Sequence, residues 1–265
     1  MILSAIDALG AKVRKENRDL FVQRQINLVF LIVQVFVLST ANPASSEVVD
    51  ITLLHLNDID EVTSLEPGTA KEVQLWVEKA ERGFRADGFV PQQAIATTNI
   101  ALDGLNSSVR NHATNLTALI ALAMLQEVER ADLAIFNSGS IQINNYIPPG
   151  LITQYDIIRI FPFGGKVLAV EMNGSLLERV LEQGRANRGT SGYLQTANVS
   201  IKSSLSTWII AGEPLDPSRN YRVAINDFLM SGKEKGLEFL NFNQKGVRLI
   251  AQKRDIRFAV IEQLR

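Results

Sequence analysis

Between residues 109 and 195 the chain alternates apolar runs with short loop motifs, and this alternation constrains its fold more than any other feature. The motif N-S-G-S-I at residues 137–141 follows an apolar run that predicts a buried strand, and F-P-F-G-G at residues 161–165 follows a short helix. Glycine and serine let a backbone approach a ligand closely because they carry little or no side chain. The pattern is therefore typical of a domain whose loops face a ligand.

The composition excludes several classes of function. With 265 residues, 46% of them hydrophobic and 21% charged, the chain has an ordinary globular composition and enough apolar residues for a core. A net charge of -1 supplies no basic field for a phosphate backbone, so nucleic acid is not an expected partner. Cysteine is absent from the sequence, which excludes disulfides and thiolate metal sites.

Local patterns predict helices and strands in mixed order. Thr114 and Asn115 are suited to capping the start of a helix, and Asp156 stands where a capping-box acid reaches back to Thr153. Amphipathic helices are expected over residues 71–84, 176–184 and 255–265, and strands over residues 93–102, 132–136, 166–172 and 221–226. We therefore expect an α+β fold, with a mixed sheet and packed helices.

The N-terminal region has the pattern of an export signal. Residues 26–38 form an apolar run that follows a basic stretch and precedes small residues, with Ala41 and Ala44 suited to cleavage. The run is shorter than the roughly 20 apolar residues of a membrane span, so an uncleaved anchor is the alternative. A buried helix is disfavoured because only Asn27 and Gln34 interrupt the run. Residues 1–46 are thus expected to be a signal peptide or anchor with a spacer, and the protein to be periplasmic or extracellular.

Residues 109–265 resemble the C-terminal substrate-recognition domain of the 5'-nucleotidase family. That domain reads an arginine, a T-N-L helix start, N-G-G-G-I-R and L-P-F-G, whereas this chain reads Arg110, T-N-L at residues 114–116, N-S-G-S-I-Q at 137–142 and F-P-F-G at 161–164. G-Y-L-Q at residues 192–195 is similar to the family's G-x-F-L-Q strand. The resemblance implies that residues 68–265 form a nucleotide-recognition domain of this type.

The resemblance also implies roles for individual residues. In the family the arginine at the position of Arg110 reaches the phosphate, and the asparagine at the position of Asn137 bonds the base or sugar region. Two aromatic rings, at the positions of Phe163 and Phe228, sandwich the base, and stacking suits any planar ring. The alternatives are a solvated arginine, a structural turn at residues 138–140 and two core phenylalanines.

Two positions depart from the family pattern. Gln142 stands where the family has a phosphate-binding arginine, so we expect weaker phosphate binding, since a charge-assisted hydrogen bond is roughly twice as strong as a neutral one. Glu234 stands near the family's aspartate, which grips the ribose hydroxyls. It lies between Lys233 and Lys235, and the alternative to a sugar acceptor is a solvated charge run.

Residues 47–67 resemble the first strand of the metallophosphoesterase domain that precedes the recognition domain in the family. There the text H-x-N-D-x-H supplies metal ligands, and Asp58 and Asp60 occupy the matching positions. A two-metal site also needs several imidazoles, but this chain contains two histidines, His55 and His112. We therefore expect most of that domain to be missing, and the alternative for Asp58 and Asp60 is a solvated turn at a strand end.

The resulting expectation is a 5'-nucleotidase-family protein of nucleotide catabolism that recognises base and sugar for phosphate monoester hydrolysis. No catalytic residue is assigned, and catalysis by this chain alone is not expected. One alternative is a non-catalytic, exported module that binds a nucleoside or nucleotide. Another is a half enzyme, in which a separate metallophosphoesterase chain completes a site for manganese, zinc or cobalt.

Overall fold

A computed structural model describes residues 67–202 and 207–265 of the chain. The chain divides into two compact units, Met1–Pro91 and Gln92–Arg265. The described part of the first unit contains helix α1, Pro67–Ala86, which the sequence placed in a domain beginning at residue 68. The apolar run at residues 26–38 and the carboxylates Asp58 and Asp60 lie outside the described residues.

The second unit contains five helices and twelve strands within its described residues. The helices are α2 Asn106–Val109, α3 Asn115–Glu127, α4 Gln154–Ile160, α5 Gly174–Ala186 and α6 Ile256–Leu264. The strands are β1 Ala94–Thr98, β2 Leu102–Asp103, β3 Leu133–Asn137, β4 Tyr146–Ile147, β5 Gly150–Thr153, β6 Lys166–Asn173, β7 Leu194–Ala197, β8 Val199–Lys202, β9 Thr207–Ile210, β10 Glu213–Pro214, β11 Asn220–Asn226 and β12 Val247–Asp255.

The central sheet has five strands in the order β12-β6-β11-β3-β7. The pair of β11 and β3 is parallel, and the other neighbours are antiparallel, so the sheet is mixed. The described residues also form three smaller sheets, β1-β5, β2-β4 and β10-β9-β8. The expected α+β fold with a mixed sheet and packed helices is confirmed.

Alternation along the central strands creates an apolar surface on each face of the sheet. Leu133, Ile135 and Val170 belong to one buried cluster, which α5 completes through Leu177 and Val180. The residues that alternate with these along β3, Ala134 and Phe136, are also buried but lie outside that cluster. Successive residues of a strand point to opposite faces, so both faces of the sheet are covered, and the sheet is a rigid base for the loops at its edge.

Capping residues begin the helices where the sequence predicts them. Thr114 precedes α3, and its hydroxyl accepts a hydrogen bond from the Thr117 backbone N–H at 3.2 Å. The Thr153 backbone N–H donates to Asp156 Oδ2 at 2.9 Å, which is the expected reach-back bond of a capping box. Among the described residues, no helix combines the length and apolar character needed to cross a bilayer.

Candidate functional site

A buried polar cluster lies where β3 and β11 end. Asn137 is the last residue of β3, and Asn226 is the last residue of β11; their exposed fractions are 2% and 5%. Asn137 Nδ2 donates to Glu234 Oε2 at 2.7 Å, and Asn137 Oδ1 accepts from Ser140 Oγ at 2.6 Å and from Asn226 Nδ2 at 3.0 Å. These bonds join two strand ends and two loops into one network.

The carboxylate of Glu234 determines the orientation of both amides in this cluster. A carboxylate only accepts hydrogen bonds, so the nitrogen of the Asn137 amide has to face it. Asn137 Oδ1 then faces Asn226, which in turn has to present its own nitrogen. As a consequence Asn226 Oδ1 points away and is buried without a hydrogen-bond partner among the described residues. One charged side chain therefore sets the donor and acceptor pattern of the whole cluster.

Glu234 itself is an internal residue, only 4% exposed. Its Oε2 accepts from Asn137 and its Oε1 accepts from Ser191 Oγ at 3.0 Å. The neighbouring Lys233 and Lys235 are not buried in this way. A solvated charge run is therefore wrong for Glu234. Both carboxylate oxygens accept from protein side chains, and each retains a further acceptor position. The role of sugar acceptor that the resemblance implied stays a prediction.

Packing against residues 190–193 explains the small residues after Asn137. The Ser138 N–H donates to the Tyr193 carbonyl and the Gly139 N–H donates to the Ser191 carbonyl, both at 2.8 Å. A Cβ atom on Gly139 would lie 2.6 Å from Ser191 Cβ, closer than real contacts allow. The segment Ser138–Ser140 is a single 3-10 turn, and glycine in it is required by this close approach of two loops.

Gln142 and Arg110 lie on either side of this turn in the sequence. Gln142 is exposed, and its Nε2 donates to the Gly139 carbonyl at 2.5 Å. Arg110 is half-buried and follows α2, where its carbonyl accepts from the Gly189 N–H at 2.7 Å. Arg110 Nε is buried without a hydrogen-bond partner among the described residues. One of the two Gln142 amide donors is therefore used within its own turn, and the Arg110 guanidinium retains unused hydrogen-bonding capacity.

Gln195 connects the strand β7 to the segment that carries Arg110. Its Nε2 donates to the Val109 carbonyl at 2.6 Å and to the His112 carbonyl at 3.0 Å. Gln195 is 2% exposed, so both bonds are shielded from water. The last residue of the G-Y-L-Q motif thus fixes the backbone on both sides of Arg110.

The two phenylalanines of the resemblance are exposed, unlike most phenylalanines. Phe163 is 53% exposed and Phe228 is 43% exposed, so neither is a core residue. Phe163 precedes β6, and Phe228 follows β11. These strands are antiparallel neighbours, with Val167 opposite Asn226. Both loops therefore leave the sheet at the same edge. The ring spacing of about 7 Å that would admit a planar ligand between stacked rings stays a prediction.

The described residues contain no group of three or more histidine, aspartate and glutamate side chains that could hold a metal ion. Asp58 and Asp60, the two carboxylates that resemble metal ligands, lie outside the described part of the chain. The described site offers hydrogen-bonding groups, the Arg110 guanidinium, the Glu234 carboxylate and two aromatic surfaces.

Sequence reasoning missed Ser191, Asn226 and Asp227. The side chain of Ser191 is far from Glu234 in sequence, and no local pattern connects them. For Asn226 and Asp227 a signal was present, because two polar residues directly follow the apolar strand at residues 221–225. Polar residues at such a strand end are candidates for a site in their own right.

Comparisons with known proteins agree with this geometry. The family model described as 5'-nucleotidase, C-terminal domain, matches residues 94–241, more than half of the chain. Protein UshA of Yersinia enterocolitica is 34% identical over 138 residues, which cover 51% of this chain and 24% of that protein. The 5'-nucleotidase of Vibrio cholerae is 34% identical over 142 residues, which cover 52% of this chain and 25% of that protein. The chain thus spans about a quarter of the length of these curated relatives.

A solved structure has a similar fold. The 5'-nucleotidase precursor from Thermus thermophilus superposes with a TM-score of 0.58 at 24% identity. The match covers 75% of this chain and 40% of that one. At this level of identity the likeness establishes a shared architecture of sheet and helices.

Proposed function

The chain belongs to the 5'-nucleotidase C-terminal domain family, and on this premise we propose that it recognises the base and sugar of a nucleotide for phosphate monoester hydrolysis. The observation that carries the proposal is the pair of exposed rings, Phe163 and Phe228, at the edge of the sheet where the Asn137 cluster lies. Large exposed rings at one edge mark a binding surface, and a planar base is a ligand that such rings stack upon.

Polar side chains to which the resemblance assigns ligand contacts support the same proposal. Asn137 offers its second N–H to the base or sugar, since Glu234 takes only one donor of the amide. Arg110 offers a guanidinium to the phosphate, and its buried Nε, without a partner among the described residues, favours an acceptor supplied by a ligand. Gln142 can add only an uncharged hydrogen bond to the ligand. Glu234 contributes by orienting the Asn137 amide.

The reaction that this recognition would serve is attack of a metal-activated hydroxide on phosphorus, with cleavage of the bond to the ester oxygen. Residues 92–265 would bind and orient the nucleotide, and we assign them no catalytic residue. The metal ions, manganese, zinc or cobalt, would be held by a metallophosphoesterase domain or partner chain. We further propose export, based on the basic and apolar pattern of residues 12–46.

The experiment that tests recognition is calorimetric titration of the full chain with adenosine and with AMP. We expect adenosine to bind, and Phe163→Ala and Phe228→Ala each to weaken binding by about 1 to 3 kcal/mol, the contribution of one stacked base. Phe242→Ala is the matched control, because Phe242 is 49% exposed and lies at the far end of the β11–β12 connection from Phe228. Equal affinities of all three variants and the parent would refute the proposed site.

A second candidate is a module that binds nucleosides and performs no chemistry. The position of Gln142 favours it, because the charge that would hold a phosphate is replaced by an uncharged amide, and one of the two amide donors already bonds the Gly139 carbonyl. The discriminating assay is phosphate release from AMP with added manganese, zinc or cobalt. Turnover that disappears with chelator and returns with metal would exclude a binding module. Turnover that requires an added metallophosphoesterase chain would identify a half enzyme.

A further inference from the structure

Asp227 connects the two loops that carry the exposed rings. It follows the last residue of β11 and directly precedes Phe228. Its backbone N–H donates to the Lys166 carbonyl at 3.0 Å, and its Oδ2 accepts from the Lys166 N–H at 2.8 Å. Both backbone polar groups of Lys166, the first residue of β6, are therefore bonded to one aspartate, and the loop of Phe163 ends at that residue.

The same carboxylate also packs against the glycine before Lys166. Gly165 has a φ of +121°, and a Cβ atom built on it would lie 2.9 Å from Asp227 Oδ1. A side chain at this position would displace the carboxylate, and few residues other than glycine adopt this conformation. The glycine and the aspartate thus form one tight contact, close in sequence to both Phe163 and Phe228.

The Phe163 loop also contacts the start of α6. The Ile256 N–H donates to the Gly165 carbonyl at 2.9 Å. A Cβ atom on Gly164 would lie 2.6 Å from Asp255 Oδ2 and from Arg257 Nη2, two groups that bond each other at 2.9 Å. The loop is therefore hydrogen-bonded to the start of α6 and has little room to move closer to it, and Asp227 determines its position relative to β11.

We propose that Asp227 is a positioning residue that fixes the spacing between the rings of Phe163 and Phe228. This inference rests on the proposed function, because the spacing matters only if a planar ligand lies between the rings. Asp227 does so through the Lys166 N–H, without touching the ligand itself. A positioning role predicts that replacing Asp227 weakens ligand binding only while the rings of Phe163 and Phe228 are both present.

The test is a thermodynamic cycle measured by calorimetric titration of the full chain with adenosine. Asp227→Ala should raise Kd about tenfold, and Asp227→Asn, whose side-chain oxygen can still accept from Lys166, should raise it less than about threefold. In a Phe163→Ala background Asp227→Ala should change Kd by less than about twofold, since only coupled residues deviate from additivity. Asp216→Ala is the control, because Asp216 Oδ1 also accepts a backbone N–H, from Ser218, in an unrelated turn.

A measurement without ligand completes the test. With 4-fluorophenylalanine in place of the phenylalanines, Asp227→Ala should shift the fluorine resonances of positions 163 and 228 and leave that of position 242 unchanged. If Phe163→Ala and Phe228→Ala both weaken adenosine binding while Asp227→Ala does not, or if its effect persists without Phe163, the positioning role is overturned and the proposed function stands. If neither Phe163→Ala nor Phe228→Ala changes the affinity for adenosine, the proposed function fails. The fluorine spectra then test the positioning role separately, because unshifted resonances of positions 163 and 228 in Asp227→Ala would refute it.

Discussion

Replacing Glu234 tests whether its carboxylate organises the buried cluster. In Glu234→Ala, Asn137 Nδ2 and Ser191 Oγ both lose their acceptor. Asn137 is buried, and an unsatisfied buried donor costs about 1 to 3 kcal/mol, whereas Ser191 is exposed and can bond water instead. Removal of the carboxylate also returns part of its desolvation cost, because Glu234 is only 4% exposed. We therefore expect a net loss of about 1.5 to 3 kcal/mol in the free energy of unfolding, the value of one buried hydrogen bond to a charged group.

Glu234→Gln separates hydrogen bonding from charge. The glutamine oxygen can accept from Asn137, and its nitrogen can donate to Ser191, because a hydroxyl both donates and accepts. The network survives with neutral bonds, which are roughly half as strong as charge-assisted ones. We expect this variant to lose about 1 kcal/mol.

Urea unfolding of both variants measures these differences, with Glu178→Ala as control. Glu178 is an exposed residue of α5, and its replacement should change stability by about 0.5 kcal/mol or less. Adenosine titration of the same proteins should show weaker binding for Glu234→Ala than for Glu234→Gln, because Asn137 loses its fixed orientation. Equal stabilities of Glu234→Ala and the parent, or an equal loss for alanine and glutamine, would contradict this account of the cluster.

Three further predictions concern other residues. Gly139→Ala should lower stability by about 1 to 3 kcal/mol in urea unfolding, because its Cβ would lie 2.6 Å from Ser191 Cβ. Gln142→Arg should raise the affinity for AMP about five- to tenfold and leave that for adenosine unchanged, as titration would show. The Ser218 hydroxyl, followed by the Ser218 backbone N–H, lowers the pKa of Asp216 below 3.8. The ionised Asp216 carboxylate therefore stabilises the fold at neutral pH, and this contribution is lost as pH falls below 3.8. Asp216→Asn should be less stable than the parent at about pH 6 but equally stable in acid. Urea unfolding at both pH values would show the difference.

Local patterns predicted five of the six described helices but fewer than half of the described strands, and they missed β12, an edge strand of the central sheet. The starts of α3 and α4 follow from Thr114 and from the Thr153 and Asp156 pair, since a cap depends on residues within one turn. Apolar alternation predicted β6 to within one residue of its observed end, Asn173. The order of the strands did not follow from these patterns, because hydrogen bonds between distant segments decide which strands are neighbours.

The candidate site was only partly predictable. Family motifs pointed to Asn137, Phe163, Phe228 and Glu234, and the structure places all four at the ends of central strands or in the loops beyond them. The motifs suggested a sugar contact for Glu234, but they did not indicate the two protein side chains that donate to its oxygens. This omission arises because Ser191 and Asn137 reach Glu234 from segments that only the folded chain brings together.

The sequence by itself determined the class of fold, the positions of the helix caps and the family to which the chain belongs, because each depends on residue type within a short window. Tertiary structure decided that Glu234 is buried, that Gly139 has to be a glycine and that Asp227 connects two loops. These properties depend on contacts between residues up to 97 positions apart, as in the bond from Asn137 to Glu234. No local pattern encodes them, since a side chain acquires its partners only when the sheet brings its strand ends together.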